Sequence, residues 1–445
     1  MKLKNPRIYL WILLGFVVLI GLYYLPPIHS RLSWRVDNVR TQIKYYFNPP
    51  DEAVFQPSAP QPTSPPLQAT AEILQTLAPT ATAEGVEATP VPTLTPTIVP
   101  TAIPERVLLS GFKYVDQHNR WNYCGPANLT MALSYWGWEG TRDDVARVIK
   151  PGEVDVKDFI QAGKADKNVM PAEMLGFVNE QTEFTGVMRY GGTVELIKQF
   201  IAAGYPVIVE KGYYERDYTG KVAWLGHYQY VTGYDDGTGE FIVQDTYNDG
   251  PNFRNSYEEF EEGGRSFNYL FIVVYPDVEA TRVNEILGLW LDEAWANEHA
   301  LSTAEEETVG AAGNDEFFAW FNKGTSLVNL QRYPEAANAF DQAFSFYAEL
   351  GQDENQRPYR IMWYQTSPYW AYFYTGRYQD VINLADTTLN ETISEPTLEE
   401  SLYWRAMAEY AAGDYTAAYA DMLETVRLNP NFSPGIFYLD LWGIQ

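Results

Sequence analysis

The spacing of apolar residues changes character several times along the chain. From Ile8 to Leu25, "IYLWILLGFVVLIGLYYL" is apolar on every face and free of charge over 18 residues. That is about the minimum for a membrane-spanning helix, and it predicts an N-terminal transmembrane helix within a first segment of residues 1–30. A cleavable signal peptide is the alternative, but the apolar core is too long and no small-x-small site follows. Periodicity then fades. Between Gln56 and about Pro104, Pro, Thr and Ala dominate, which predicts an extended, partly polyproline-like stalk within residues 31–104. From 105 to 277 short β-branched and aromatic runs appear, among them "YPVIVE", "HYQYVTGY", "EFIVQDTY" and "YLFIVVYP". Helical periods precede or interrupt them at "ANLTMALSYWG", "TRDDVARVIK" and "TVELIKQFIAAG". Helix first and sheet afterwards predicts an α+β domain.

After Val278 the pattern is helical to the end. "VNEILGLWLDEAWANEHAL" predicts an amphipathic connector, closed by a polar break in "STAEEETVGAAGND", over residues 278–314. Three later segments align: "RYPEAANAFDQAF", "RYQDVINLADTTL" and "DYTAAYADMLETV". Tyr333, Tyr378 and Tyr415 correspond, then Ala336, Val381 and Ala418, then Phe340, Ala385 and Met422. Residues 315–445 thus resemble tetratricopeptide repeats, pairs of antiparallel helices in which small residues permit close approach. Spacings of 45 and 37 residues between the tyrosines exceed that family's usual period, so irregular helices or loops are expected. An ordinary helical bundle is the alternative. "RPYRIMWYQTSPYWAYFYTGRY" places seven aromatics from Trp363 to Tyr374. Tyr369, Trp370 and Phe373 can share a packed stripe, and the remainder suggests a surface for a protein partner. On that reading the helical part is a detachable recruitment module.

Charge changes the picture of possible partners. Residues 1–50 hold seven Lys/Arg and one Asp, a balance of +6, so the rest carries −33 of the chain's net −27. Such a body repels nucleic acid. A seven-residue tail before the apolar run, with a large acidic body after it, predicts that the α+β and repeat domains are extracytoplasmic. No nucleotide loop is visible, the four histidines are dispersed, and neither a cofactor nor a metal is expected.

Composition also isolates the candidate chemistry. Cys124 is the only cysteine, in "RWNYCGPANLTMALSYWGW". Pro126 suits the first turn of a helix, so the thiol is expected at a helix N-terminus, where backbone N–H groups favour a thiolate. A base is needed. His227 lies on a predicted strand of the hairpin "WLGHYQYVTGYDDGTGEFIVQDTY". With a five-residue loop, Asp235 to Gly239, Asp245 falls on the same face as His227, a diagonal neighbour. A four-residue loop puts it on the other face. Gln117, seven residues before the cysteine, is preferred to Asn122 as a side-chain oxyanion donor beside the Cys124 N–H. Gly263-Gly264 offers a self-cleavage site or, more simply, a turn.

Gln117, Cys124-Gly-Pro-Ala, Gly226-His227-Tyr, Gly-Tyr-Asp-Asp and Val-Gln-Asp245, in that order, resemble the papain-like cysteine peptidases of the bacteriocin-processing type, which cleave leader peptides after a double glycine. The resemblance covers about 170 residues. It implies a papain-like fold with Cys124 as nucleophile, His227 as general base, Asp245 as its orienter and Gln117 as oxyanion donor. It also implies a protein or peptide substrate. Papain-like enzymes usually space the Gln six residues before the Cys, and the transporter segments that accompany leader peptidases are absent, so a double-glycine substrate does not follow. A non-catalytic peptide-binding module and a transglutaminase-like acyl transferase are the other readings.

Overall fold

A computed structural model describes residues 6–58, 103–120, 122–151, 169–216, 222–247, 249–350 and 357–444. Most of the expected stalk lies outside the described residues.

The strand-like runs fold into one antiparallel sheet. Its strands are β1 (Arg106–Leu108), β2 (Phe184–Arg189), β3 (Val207–Arg216), β4 (Val222–Asp235), β5 (Glu240–Gln244), β6 (Phe253–Ser256) and β7 (Phe271–Pro276). They lie in the order β2-β7-β3-β4-β5-β6, with β1 against β4. Because side chains alternate along a strand, each strand feeds two cores. Ile208, Tyr228, Tyr230, Ile272 and Val274 pack with the cysteine helix Cys124–Tyr135 on one face. Val207, Val209, Val231, Phe271 and Val273 pack with the helix Val194–Ala202 on the other. Both faces are covered, which explains why these strands read as nearly continuous apolar runs. The α+β expectation holds.

The C-terminal part is helical, and each of the three aligned tyrosines opens the second helix of a pair. The pairs are Asn314–Asn329 with Tyr333–Glu349, Ser367–Tyr374 with Tyr378–Asp386, and Glu399–Ala412 with Tyr415–Leu428. Ala336, Val381, Ala418, Phe340, Ala385 and Met422 are all fully buried. Gly324 shows why small residues are needed. A Cβ there would stand 2.6 Å from the Phe340 ring. The 45-residue spacing before Tyr378 holds the extra short helix Ile361–Tyr364, and the 37-residue spacing after it includes a wide helical turn at Thr387–Thr392.

The two parts are not independent. Trp224 and Phe267, from the sheet-containing part, belong to the same apolar cluster as Phe317, Phe318, Phe340 and Tyr372. Asn268 Nδ2 donates to Ser326 Oγ at 2.9 Å, and Arg265 pairs with Glu307 and Asp315. Residues expected to begin a free stalk pack on the helices instead. Phe55 is 5% exposed and meets Phe344 edge-on, and the Ser58 N–H donates to Asp380.

Several expectations are corrected. The uncharged N-terminal run does not form one helix. Helix Pro6–Tyr23 stops short of Leu25, and Pro26 opens a second helix, Pro26–Phe47. Of its 18 residues, removing Pro6 and Arg7 leaves 16, about 24 Å at the usual rise and short of a ~30 Å hydrocarbon core. Among the described residues no helix is long and apolar enough to cross a membrane, so the expected transmembrane helix is not borne out. The connector breaks at Gly288, whose φ of 53° favours glycine, and its second helix, Glu293–Glu307, runs into the expected polar break, whose remainder at 308–313 separates it from the helix Asn314–Asn329. Gly263 and Gly264 form neither a turn nor an exposed site. They are buried in the helix Tyr257–Arg265.

Candidate active site

Cys124 is the first residue of its helix, as the Gly-Pro pair implies, and Tyr123 precedes it with no side-chain cap. The open backbone N–H groups therefore face the thiol end. Asn128, one turn in and fully buried, donates through Nδ2 to Cys124 O at 2.8 Å and to Tyr228 O at 2.9 Å. One amide thus ties the start of the cysteine helix to the strand that carries His227.

The hairpin brings His227 and Asp245 together by a route the loop length does not reveal. Asp235 pairs with Glu240, so the loop has four residues, and Gly233 pairs with Ile242. That register would carry Asp245 to the face opposite His227. A β-bulge between Val231 and Gly233 then shifts the pairing by one, so Val231 meets Val243 and Tyr230 meets Gln244. One extra residue on one strand reverses which side chains share a face. Continuing the shifted register sets Asp245 beside Gln229, on the face of His227. The expected diagonal is correct, and the expected five-residue loop is not.

His227 Nε2–H donates to Asp245 Oδ2 at 3.1 Å, and both residues are 4% exposed. His227 and Cys124 also act on each other, each favouring the other's charged form. Asp245 is held from three further directions. Gln229 Nε2 donates to Oδ2 at 2.8 Å, the Tyr247 N–H to Oδ1 at 2.8 Å, and the Tyr114 hydroxyl to the backbone oxygen. Gln117 is buried, and its Oε1 accepts from Thr246 Oγ1 at 3.0 Å. That bond fixes the amide and leaves Nε2 as its donating side. Asn122 takes φ of 49°, a turn conformation that Asn tolerates. Among the other histidines, His118 bonds Tyr247 O at the surface, and His299 stacks on Trp295.

Electrostatics follow from this packing. Burial raises the Cys124 thiol, but the hydrogen bond and charge of His227, with the Tyr228 and Gly125 N–H groups, outweigh it and bring the thiol below its ordinary value. Burial opposes a charged His227, yet Asp245 and Cys124 together raise it to about 10. Burial also opposes ionisation of Asp245. The His227 hydrogen bond and charge, with Gln229 and the Tyr247 N–H, hold its carboxyl far below the usual range. The arrangement favours thiolate, imidazolium and carboxylate together. Glu210 lies opposite Tyr228 in the sheet, and burial beside the thiolate keeps its carboxyl well above the ordinary range.

Asn128, Gln229 and Thr246 were not singled out from sequence. Their signal is nonetheless there: each is a polar residue inside a run otherwise destined for the core, and a buried polar group needs a partner. No geometry for a metal was expected. The carboxylates of Glu173, Glu399 and Glu400 converge within 4.8 Å across the two parts. Glu173 already accepts from the Met170 N–H and Glu399 from Asn429, each a bond within its own part.

Comparison with known proteins agrees with this geometry. Residues 109–269 match the model of the Peptidase C39 like family. No curated protein matches the chain. Among solved structures, a Bacillus anthracis protein described as a C39-like peptidase is 18% identical, with a TM-score of 0.31, over 38% of this chain and 98% of its own. Xylellain, a cysteine protease from Xylella fastidiosa, is 17% identical, with a TM-score of 0.27, over 39% of this chain and 87% of its own. At those scores the family match carries the assignment. The segment 109–269, with its cysteine at a helix N-terminus and its histidine on the facing sheet, is a papain-like cysteine peptidase domain of the C39-like family.

Proposed function

We propose that the chain is an active cysteine peptidase using Cys124, His227, Asp245 and Gln117. The observation that carries this reading is the buried Asp245–His227 hydrogen bond of 3.1 Å, with Cys124 at a helix N-terminus and lowered by that same imidazole. The Cys124 thiolate attacks the scissile carbonyl carbon and forms a C–S bond. The oxyanion accepts hydrogen bonds from the Cys124 N–H and from Gln117 Nε2. The imidazolium of His227 gives its proton to the departing amine, so the C–N bond breaks and a thioester remains. Water then loses a proton to His227 and attacks the thioester, releasing the carboxylic acid and restoring the thiolate. Asp245 fixes the ring and stabilises its charged form throughout.

A test without a known substrate is available because the chain has a single thiol. At pH 6 an ordinary thiol is almost wholly protonated. Cys124 should react with iodoacetamide on the order of ten-fold faster than a free model thiol at that pH, with a rate that stays flat towards neutral pH. An ordinary thiol profile, rising steeply from pH 7 to 9, would sink the proposal.

A further inference from the structure

The residue before His227 is held by a side chain from the other part of the molecule. Gly226 faces two rings: a Cβ there would stand 2.7 Å from Phe267 Cζ and 2.9 Å from Tyr364 Cδ1. Tyr364 ends the short helix Ile361–Tyr364, 138 positions beyond Gly226 and within the helical part. Its ring stands edge-on to Trp224 and Phe267, with centroids 5.7 and 5.9 Å away, while those two rings stack at 16°. Its hydroxyl interacts with the Gly226 backbone, and its ring edge is the contact that a Cβ at Gly226 would meet.

The short helix is itself pinned on both sides. Trp363 Nε1 donates to Thr392 Oγ1 at 3.0 Å, and Gln365 Nε2 donates to Ser266 O at 2.6 Å. Ile361 and Met362 are buried. Tyr364 is therefore seated by the helical part and presses on the peptidase strand from outside it. Within the sheet, Tyr213 meets the His227 ring edge-on at 5.8 Å. The imidazole is set from its Asp245 edge and its Tyr213 face, and its backbone is set through Gly226.

We propose that Tyr364 is a positioning residue of the peptidase site, holding the Gly226–His227 backbone so that the imidazole keeps its edge on Cys124. The helical part is then a built-in component of the catalytic site. This rests on Cys124 and His227 acting as the reactive pair. A shift of a few tenths of an ångström at Gly226 moves the ring relative to the sulfur, and reactivity is steep in such displacements.

The test uses the full chain and three variants. Tyr364→Phe keeps the ring and removes the hydroxyl's interaction with Gly226. Gly226→Ala keeps Tyr364 and forces the contact apart. Met422→Ala lowers stability at a buried position of the last helix pair, outside the Ile361–Tyr364 helix. Iodoacetamide alkylation of Cys124 is followed against pH, with thermal unfolding alongside and a generic peptide assay for kcat and KM. We expect Tyr364→Phe to lower the pH 6 alkylation rate and kcat by about five-fold, the worth of one hydrogen bond, with KM unchanged. Gly226→Ala should do the same or more, and Met422→Ala should leave the pH profile as in the parent even if its Tm falls. A parent-like profile and kcat in both Tyr364→Phe and Gly226→Ala overturns the proposal alone. Equal losses in all three variants, tracking Tm, reduce Tyr364 to a structural brace and also overturn it. An ordinary thiol profile in the parent removes the peptidase reading and this proposal together.

Discussion

Removing residues 315–445 is expected to leave the peptidase domain unable to fold. Trp224 is 1% exposed, and three of the rings around it are Phe267, Phe318 and Tyr364. Two of those three leave with the truncation, and Trp224 and Phe267 are uncovered. Losing the packing of a buried large aromatic costs about 3–5 kcal/mol, against a total stability of about 5–15 kcal/mol for a typical protein. Asp315, one of the two carboxylates on Arg265, and Ser326, the partner of Asn268, go as well. Expressed as residues 1–314, the chain should be insoluble or protease-sensitive, without cooperative unfolding and without cleavage of any peptide. A soluble truncated chain that melts cooperatively and cleaves a generic peptide at the parental rate would refute this. The sequence suggested the opposite outcome, with the helices acting as a detachable recruitment module. The aromatic segment that prompted it is mostly interior: Tyr369, Tyr372 and Phe373 are buried, and Trp370, at 38% exposure, still packs on Trp404.

What could be read from the sequence was local. Gly-Pro after Cys124 marked a helix start because proline suits the first turn and no other, and the thiol is where that rule puts it. The tyrosines at 333, 378 and 415 marked helix starts because their neighbours three and seven residues on had to be small or apolar to pack. Matters set by non-local pairing were less accessible. The bulge near Thr232 has no signature of its own in "HYQYVTGYDD", yet it decides which face carries Asp245. The right diagonal was reached with a wrong loop length because one inserted residue offset one missing loop residue. Tyr364 lies 138 positions from Gly226, and nothing in either segment names the other. The apolar run at Ile8–Leu25 was read by composition, whereas Pro26 ends its first helix sooner than composition implied.

Replacing Asp245 by asparagine is expected to lower kcat by on the order of 10²–10⁴ while leaving KM nearly unchanged, since the carboxylate acts on the charged imidazole and not on substrate. The carboxylate accepts from His227, Gln229 and the Tyr247 N–H at once. An amide has one accepting oxygen, and its NH₂ would face at least one of these donors. The pH dependence gives a sharper reading. His227 is held up to about 10 in the folded chain against an ordinary 6.5, so the descending limb of activity should lie near the former value. Without the carboxylate that limb should fall towards neutral, and the ascending limb should rise because Cys124 loses a stable imidazolium partner. Stability should respond with a definite sign. A raised His227 contributes stability that is complete below its unfolded value of 6.5 and lost as pH rises through about 10. A depressed Asp245 contributes stability present above its unfolded value of 3.8 and lost as pH falls through its folded value. The Tm difference between parent and variant should therefore be greatest between pH 4 and 6.5 and shrink at both extremes. A difference that grows above pH 10, or a variant whose activity profile keeps the parent's width, would show that Asp245 does not hold His227 in its charged form.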